Sequence, residues 1–371
     1  MSKTKIAVLT GGGDAPGLNA VIYAITRACL KNMDCELIGY KFGYRGLYNN
    51  EFMRLDRETT SGILHRGGTI LQSSNKDNLF DYAVEENGKI VKKDVSDVAV
   101  GNMRRENVDV LVVLGGDGTL TSARDFARKG VNVIGVPKTI DNDLAATDVT
   151  FGFDSAVNVV TENLGRVHTT AESHQRVIVV EVMGRSAGWI ALYSGIAGSA
   201  DVILIPEIPY RLDKVIDKII ERDAVGKPFT VIVVTEGAKE LGGEAVVGKI
   251  VEDSPDPIRF GGIAAKLSAD IEARVKNHEV RYCVLGHIQR GGDTSPADRV
   301  LSVRYGVKAA ELIAEGKFGN MVCLKNGKMD CVSLEDVIGS ERTSTSGGKL
   351  VDPNGELVKC ARNLGISFGD V

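Results

Sequence analysis

Residues 135–144 read Gly-Val-Pro-Lys-Thr-Ile-Asp-Asn-Asp-Leu. The first two of them end an apolar run at 131–136, and the polar residues come just after it. The Val and Ile residues of that run predict a buried strand, so the polar residues lie at a strand end. Of two carboxylates spaced two residues apart, one can take a proton from an alcohol while the other holds a magnesium ion. Lys138 and Thr139 can donate to a transferring phosphoryl group. A turn that caps a helix explains this stretch, taken alone, equally well.

A second loop of this kind follows the apolar run at 108–114 and reads Gly-Gly-Asp-Gly-Thr at 115–119. Its small residues let backbone N–H groups approach an anion, and a helix is predicted to begin near Leu120. A glycine loop that leads into a helix N-terminus is a common phosphate site. A tight strand-to-helix turn would explain the glycines but not Asp117, which we interpret as a magnesium ligand.

The first loop of the chain, at 10–19, reads Thr-Gly-Gly-Gly-Asp-Ala-Pro-Gly-Leu-Asn and follows a strand predicted at 5–9. Apolar residues at helical spacing, with Pro16 near their start, predict a helix after it. It is not a Walker A loop, because no Gly-Lys-Ser or Gly-Lys-Thr follows, and Asp14 and Pro16 break the dinucleotide-binding spacing. Three such loops, each at the carboxyl end of a predicted strand, together predict the phosphate site of a doubly wound α/β fold.

Strand-like apolar runs alternate with helical segments along most of the chain. The runs lie at 6–9, 108–114, 131–136, 177–182, 202–205, 230–234 and 282–285. Continuous Val, Ile and Leu predict strands that are covered on both faces. The fold class we predict is α/β, with two similar lobes of mostly parallel, doubly wound sheets and an active site in the cleft between them. A lobe boundary is predicted at 151–155, a surface insertion at 81–97 and a mobile loop at 340–349.

The composition is ordinary for a globular protein, with 371 residues, 43% hydrophobic and 25% charged. A net charge of −4 argues against a nucleic-acid surface. The six cysteines show no Cys-x-x-Cys spacing and predict reduced thiols in a cytoplasm, not zinc ligands or disulfides. A strand is predicted within a few residues of the start, so we expect no signal peptide, and no apolar run approaches membrane-spanning length. We therefore expect a cytoplasmic protein that binds neither nucleic acid nor membrane.

In the second half of the chain, polar side chains lie beside predicted strands instead of on helix faces. They are Arg176, Arg185, Glu236, Arg281, His287 and Arg290. A single arginine or histidine at a strand end usually meets solvent, but four arginines and a histidine that converge predict an anion site. Arginine suits bidentate phosphate contacts and glutamate suits hydroxyls, so the set predicts a phosphorylated polyol.

These residues closely resemble the 6-phosphofructokinase family, from the first residues to about Ala310. The shared stretches are Gly-Gly-Asp-Ala-Pro-Gly at 12–17, Gly-Gly-Asp-Gly-Thr at 115–119, Pro-Lys-Thr-Ile-Asp-Asn-Asp at 137–143, Ser-His-Gln-Arg at 173–176, Glu-Val-Met-Gly-Arg at 181–185 and Gly-His-Ile-Gln-Arg-Gly-Gly at 286–292. The resemblance implies transfer of the ATP γ-phosphoryl group to the 1-hydroxyl of fructose 6-phosphate in glycolysis. It also implies a phosphoryl-donor lobe of residues 1–152 with about 289–339, and a sugar-phosphate lobe of residues 153–288 with about 340–371.

The resemblance also assigns roles to individual residues. Asp141 looks like the base that deprotonates the sugar hydroxyl, and Asp117, supported by Asp143, would hold Mg²⁺. Lys138, Thr139 and Arg185 would stabilise the transferring phosphoryl group. ATP would contact Gly13, Asn75, Lys76, Gly116, Asp117, Gly118 and Thr119. Fructose 6-phosphate would contact Thr139, Ile140, Asp141, Arg176, Met183, Gly184, Arg185, Glu236, Arg281, His287, Ile288, Gln289 and Arg290. In the family, the equivalents of Arg176 and Arg281 reach across from a neighbouring subunit, so we expect a homo-oligomer, a dimer or tetramer.

Two positions give opposite signals about the phosphoryl donor. Lys138 stands where members that use ATP usually carry glycine and those that use pyrophosphate carry lysine. At Gly118 glycine is typical of ATP use and aspartate of pyrophosphate use. An aspartate there would crowd and repel the nucleotide α-phosphate, so we predict ATP, with pyrophosphate as the alternative donor. Asn75 replaces an arginine of many bacterial members, and Lys76 or Lys138 could supply that charge.

The resemblance to bacterial members of the family is incomplete at the residues that would bind allosteric effectors. Tyr23 and His168 stand where arginines are expected, although Arg27, Arg57 and Lys227 remain, so feedback by ADP or phosphoenolpyruvate is not expected.

Two other functions fit parts of this pattern. NAD kinases and lipid kinases share the Gly-Gly-Asp-Gly-Thr loop but lack the stretches at 137–143 and 286–292. An inactive sugar-phosphate sensor is the other alternative, and the intact Asp141 argues against it.

Overall fold

The computed structural model describes residues 3–86, 89–251, 257–339 and 348–371. Its strands are β1 (Thr4–Thr10), β2 (Cys35–Tyr40), β3 (Phe52–Leu55), β4 (Tyr82–Glu86), β5 (Lys89–Lys93), β6 (Val110–Gly115), β7 (Val133–Pro137), β8 (Val177–Val182), β9 (Val202–Leu204), β10 (Thr230–Thr235), β11 (Val247–Ile250), β12 (Ile258–Phe260), β13 (Val280–Val284), β14 (Asn320–Lys325) and β15 (Lys328–Ser333). Its helices are α1 (Leu18–Asn32), α2 (Tyr44–Asn49), α3 (Ser96–Arg105), α4 (Asp117–Arg128), α5 (Phe153–His174), α6 (Trp189–Ala197), α7 (Leu212–Ala224), α8 (Ile263–Glu272), α9 (Pro296–Ala314), α10 (Leu334–Ile338) and α11 (Glu356–Asn363). A 3₁₀ turn covers Gly286–Arg290.

The larger sheet has seven strands in the order β15-β14-β7-β6-β1-β2-β3. Its five central strands run parallel, and only the edge strands β15 and β3 run antiparallel to their neighbours. Strands β1, β6 and β7 are adjacent, with Thr10 opposite Leu114 and Gly115 opposite Pro137. The three predicted loops therefore leave the same edge of one sheet side by side.

The smaller sheet has four parallel strands in the order β13-β8-β10-β9. Its carboxyl ends lead into the segments that carry Met183, Glu236 and His287. Two antiparallel hairpins, β4–β5 and β11–β12, lie outside both sheets. The first hairpin occupies the segment predicted as a surface insertion.

The seven predicted strands are present as β1, β6, β7, β8, β9, β10 and β13, each with ends within two residues of the prediction. Every residue of β6 and β8 is buried. Along β6, Val112 and Val113 pack into separate apolar clusters on opposite faces of the sheet. Coverage on both faces explains why these strands read as continuous apolar runs. Helix α4 begins at Asp117, three positions before the predicted start near Leu120, so the aspartate lies in its first turn.

Later parts of the chain return to both sheets. Strand β14 extends the larger sheet by pairing with β7, Asn320 opposite Ile134. The C-terminal piece packs on the smaller sheet, where Phe368 lies in the core and the Ile203 N–H donates to the Ser367 carbonyl at 2.9 Å. The 340–349 segment was predicted as a mobile loop, and residues 340–347 lie outside the described part of the chain.

The chain passes between the sheets where α5 and α9 begin side by side. Asp298, in the first turn of α9, accepts hydrogen bonds from the Ser155 backbone N–H and hydroxyl, both at 2.7 Å. Ser295, the N-cap of α9, donates to Asp154 at 2.5 Å. The Asp298 carboxylate thus caps α5, Ser295 caps its own helix α9, and the Ser295–Asp154 bond joins the two helix starts in one polar cluster. None of the helices in the described ranges is long and apolar enough to cross a bilayer.

Candidate active site

Hydrogen bonds join the three loops at the edge of the larger sheet into one unit. The Gly11 N–H donates to the Leu114 carbonyl, and the Lys138 N–H donates to the Gly115 carbonyl, both at 2.9 Å. The Lys138 ammonium then reaches the first loop and donates to the Gly13 carbonyl at 2.5 Å. The sequence predicted each loop separately, and the sheet order β7-β6-β1 brings them together.

The glycines of the second loop serve two different purposes. A Cβ at Gly115 would lie 2.3 Å from Thr119 Cβ, so a side chain there would clash with the buried threonine. A Cβ at Gly118 would have no described atom within 4 Å. Packing therefore requires glycine at 115, whereas Gly118 leaves free space at the first turn of α4.

Two further loop positions predicted to contact ATP lie beside the first glycine loop. The Gly12 N–H donates to the Ser74 carbonyl at 3.0 Å, and the Ser73 hydroxyl donates to the Gly12 carbonyl at 2.5 Å. Asn75 and Lys76 follow directly and are exposed. These bonds hold the 73–76 segment against the same edge of the sheet.

Three carboxylates predicted to share the chemistry act on one another electrostatically. Burial, followed by the charge of Asp141 and more weakly that of Asp117, raises the pKa of Asp143 to about 6. Asp141 is 5% exposed, and its Oδ1 atom is buried with no hydrogen-bond partner among the described residues. Its backbone N–H donates to the Thr139 hydroxyl at 3.1 Å. The site therefore concentrates negative charge around an unsatisfied acceptor.

Positive charge enters the same region from Lys138, which is 4% exposed. Burial, followed by the neighbouring charge of Arg290, lowers its pKa to about 8, while Asp141 and Asp14 oppose the shift. Arg290 itself donates to the Asp14 carbonyl at 2.8 Å. Both cations thus lie against the first glycine loop, which would bring them close to bound phosphate.

The smaller sheet contributes the segment Met183–Arg185 and Glu236. The Arg185 N–H donates to Glu236 Oε1 at 3.2 Å. Burial, followed by the charge of Asp141, raises the pKa of Glu236 to about 7. Burial also raises the pKa of Asp117, and the Arg185 charge opposes the shift at both carboxylates. The guanidinium therefore acts on carboxylates of both sheets.

The 3₁₀ turn that follows β13 is held to the end of β8 by Gln289. Its side-chain oxygen accepts from the Met183 N–H at 3.3 Å, and its nitrogen donates to the Gly286 carbonyl at 3.0 Å. Gln289 is fully buried, whereas His287 and Ile288 are exposed on the other side of the turn. Ile140, another residue predicted to contact substrate, has its side chain in the apolar core.

The family model described as Phosphofructokinase matches residues 5–313. The chain belongs to the phosphofructokinase family. It is 68% identical over 367 residues to ATP-dependent 6-phosphofructokinase 2 of Clostridium perfringens, across 99% of this chain and 98% of that one. The first expectation from the motifs, family membership, is confirmed.

Two solved structures resemble this phosphofructokinase. The Saccharomyces cerevisiae phosphofructokinase superposes with a TM-score of 0.76 at 29% identity, over 91% of this chain and 45% of that chain. This chain thus spans less than half of the yeast chain. The pyrophosphate-dependent phosphofructokinase from Nitrosospira multiformis gives a TM-score of 0.79 at 20% identity, over 99% of this chain and 92% of that chain. The second likeness shows the fold alone, and the predicted α/β fold class is confirmed.

Arg176 and Arg281 lie apart from the other residues predicted for the site. They stand at the amino ends of β8 and β13, where both pair with Glu279. Strand β8 is six residues long, which separates Arg176 from Met183–Arg185 by about 20 Å. The four arginines that we expected to converge therefore do not meet within one chain. Action of Arg176 and Arg281 on a neighbouring subunit stays a prediction.

One charged residue near the site was missed from the sequence. Arg124 is 1% exposed, bonds Asp125 at 2.9 Å and lowers the pKa of Asp117, which burial raises. An adjacent Arg-Asp pair on a helix is typical of a solvated face, so nothing in the sequence marked it. Its burial beside α10 became apparent only in the folded chain.

Proposed function

We propose that this protein is an ATP-dependent 6-phosphofructokinase. It transfers the γ-phosphoryl group of ATP to the 1-hydroxyl of fructose 6-phosphate and yields fructose 1,6-bisphosphate and ADP, a step of glycolysis. The observation that carries the proposal is the buried Oδ1 of Asp141, which has no hydrogen-bond partner among the described residues. Buried carboxylate oxygens are normally hydrogen-bonded, so this atom is suited to accept the proton of a substrate hydroxyl.

The groups around Asp141 are suited to the charge that moves during the reaction. Lys138 and Thr139 would donate to the transferring phosphoryl group, and Arg185 would act on it from the smaller sheet. The support for Arg185 is that its charge already acts on both Asp117 and Glu236. A guanidinium placed between donor and acceptor can stabilise charge that develops between them.

Asp117 and Asp143 fit a magnesium ion. Each is buried enough for its pKa to be raised, and the negative charge of Asp117 contributes to the shift at Asp143. In the described ranges, no group of three or more His, Cys, Asp or Glu side chains forms a closed metal cage. Mg²⁺ at kinase sites usually takes one or two carboxylates plus substrate phosphates, so two aspartates suffice. The ion would neutralise charge on the phosphate oxygens.

ATP is the donor that the sequence relatives and the free space at Gly118 support. The Clostridium perfringens relative is an ATP-dependent enzyme. A Cβ at Gly118 meets no described atom, so packing within the chain does not account for the glycine. Space kept open beside the first turn of α4 suits the α-phosphate of a nucleotide, and pyrophosphate has no need of it.

The acceptor site would be completed by a second copy of the chain. Met183, Gly184, Glu236, His287 and Arg290 would hold fructose 6-phosphate from one subunit. Arg176 and Arg281, at the far edge of the smaller sheet, would contact the sugar 6-phosphate of the neighbouring subunit. The distance between Arg176 and Met183–Arg185 within one chain supports this arrangement, so we propose a homo-oligomer.

Paired coupled assays test the proposed function. Purified protein with Mg²⁺ and fructose 6-phosphate is given either ATP or pyrophosphate, and fructose 1,6-bisphosphate is measured through a coupled aldolase reaction. We expect turnover with ATP that exceeds turnover with pyrophosphate by at least about tenfold. Turnover with pyrophosphate and none with ATP would show that pyrophosphate is the donor. No turnover with either donor would refute the proposed activity.

A further inference from the structure

The segment between β7 and α5, residues 138–152, carries Asp141 and is called the catalytic loop below. Residues 348–351 connect this loop to the smaller sheet. The Lys349 N–H donates to the Asp143 carbonyl at 2.8 Å. The Lys349 carbonyl accepts from the indole N–H of Trp189 at 2.6 Å. Trp189 begins α6, which packs beside the smaller sheet, so one residue bonds to a catalytic-loop carbonyl on one side and to α6 on the other.

The segment is fixed to the start of α6 by a second contact. Glu207 Oε1 accepts from the Val351 N–H at 2.9 Å and from the Gly188 N–H, also at 2.9 Å. Gly188 is the N-cap of α6, so the carboxylate caps that helix and holds Val351 at once. Glu207 therefore holds Val351 at the start of α6, and Lys349 lies between this contact and the catalytic loop.

The side chain of Lys349 reaches the same loop at another point. Its ammonium donates to the Asp148 carbonyl and lies 5.4 Å from the centre of the Trp189 ring. Lys349 thus holds two carbonyls of the loop, at Asp143 and Asp148. A cation over an indole ring adds an attraction of its own and fixes the side chain in place.

The catalytic loop needs such support because it has no regular secondary structure between β7 and α5. Asn142 and Ala146 adopt positive φ angles of 52° and 63°. Its inner side is held by the Asn142 side chain, which accepts from the Thr150 N–H at 3.2 Å. The Lys349 contacts add a bond at Asp143, between the two positions with positive φ, and another at Asp148, beyond them.

We propose that Lys349 is a positioning residue for phosphoryl transfer. It fixes the carbonyls of Asp143 and Asp148, and through them the carboxylates of Asp141 and Asp143, relative to the smaller sheet that holds the acceptor. This inference rests on the phosphotransferase activity proposed above. The bond to Asp143 comes from the Lys349 backbone, so a substitution removes only the ammonium contacts with the Asp148 carbonyl and the Trp189 ring. Without these contacts the loop can shift, and a shift of about 1 Å at reacting groups can cost on the order of a hundredfold in rate.

The principal test compares Lys349→Met with Lys349→Arg and with Lys359→Met. Methionine keeps the apolar stem and removes the ammonium, arginine keeps a cation, and Lys359 is an exposed lysine on α11 that serves as the control. We expect Lys349→Met to lower kcat by about tenfold with the KM for fructose 6-phosphate within about twofold. We expect Lys349→Arg to recover most of the loss and Lys359→Met to match the unmodified protein. An unchanged kcat in Lys349→Met would refute the proposal.

A second measurement does not depend on activity. Amide hydrogen exchange, read by mass spectrometry, should become several-fold faster in peptides that cover 141–148 in Lys349→Met, and unchanged elsewhere. Trp189 is the only tryptophan in the sequence, so its emission intensity should change in the same variant and not in Lys359→Met. Faster exchange throughout the chain, with a matching fall in Tm, would show a general structural role and refute positioning.

The two proposals fail separately. If the unmodified protein turns over but Lys349→Met has the same kcat and the same exchange at 141–148, positioning is wrong and the proposed function stands. If the unmodified protein is inert with ATP and with pyrophosphate, the proposed function is wrong. The exchange of 141–148 then still reports on the Lys349 contact, where local acceleration supports it and no change refutes it.

Discussion

Lys138 donates from its ammonium to the Gly13 carbonyl at 2.5 Å, which ties the loop after β7 to the loop after β1. Lys138, the residue that favours pyrophosphate by resemblance, is thus hydrogen-bonded to the protein's own backbone. A cation held there can assist the transfer of a phosphoryl group from either donor. The choice of donor must then depend on a position where a side chain can block one of them, and we predict that this position is 118, where glycine leaves room for ATP.

Gly118→Asp is expected to weaken ATP use by one to several orders of magnitude, at about 1.4 kcal/mol for each tenfold loss. A Cβ at this position meets no described atom, so the folded chain accommodates the side chain while the carboxylate repels the nucleotide phosphates. The measurement is kcat/KM for ATP and for pyrophosphate at fixed fructose 6-phosphate. Gly101→Asp is the control, since its Cβ also meets no described atom and it lies in α3, a helix outside the site. Full ATP activity in Gly118→Asp would contradict this reasoning.

Asp141→Asn should lower kcat by roughly a hundredfold or more, because an amide cannot accept the proton of the sugar hydroxyl. The affinity for fructose 6-phosphate should change little, since the phosphate and hydroxyl contacts remain. Steady-state kinetics give kcat, and calorimetric titration with fructose 6-phosphate gives the affinity. A variant with near-normal kcat would remove Asp141 from the role of base.

Glu236→Gln should raise the Tm at pH 8 and raise it less at pH 5. Burial raises the pKa of Glu236 to about 7 in the folded chain, compared with about 4.3 in an unfolded chain. Between these two pH values the folded chain binds more protons than the unfolded chain, so the free energy of unfolding falls as pH rises. This loss of stability, the cost of ionising a buried carboxyl, is complete above a pH of about 7. Glutamine removes that cost. Thermal unfolding at both pH values measures it, with the exposed Glu244→Gln as control. Equal shifts at pH 5 and pH 8 would show that the ionisation of Glu236 is not the cause.

Arg176→Ser mixed with Asp141→Asn should recover activity if subunits share sites. Each variant alone lacks one essential group in every site, whereas a hybrid can contain an intact Asp141 beside an intact Arg176 from the partner. Activity is measured after the two are denatured together and refolded, and hybrids are verified by native mass spectrometry. No recovery in verified hybrids would place Arg176 outside the shared site.

The strands and the loops of the site could be predicted because each has a local signal. The Val and Ile residues of β6 and β8 face apolar clusters on both sides, so the run itself reveals the buried strand. The glycines at 115–118 follow directly from the need for close backbone approach at a strand end. Family motifs then supplied roles, and family and fold were confirmed.

What could not be predicted depends on contacts between distant parts of the chain. The apolar run of β14 covers only Met321–Leu324, and β15 carries Lys328 and Asp330 beside its apolar residues, so neither strand was predicted. Arg124 and Lys349 are ordinary charged residues in the sequence, and each gains its place from backbone carbonyls far along the chain, at Gly339 and at Asp143. Gln289 sits in a recognised motif, yet its burial against Met183 follows only from the packing of the turn.

The pairing of β7 with β14 has a consequence for how the chain folds as it is synthesised. Strand β7 is complete once residue 137 has been made, but its partner on that side begins at Asn320. Its outer row of backbone N–H and C=O groups therefore has no native strand to bond while the smaller sheet is being made. At about 5–20 residues per second, the nascent chain carries that open edge for roughly ten seconds or more. The larger sheet is thus the first to start and, with β15, the last to close.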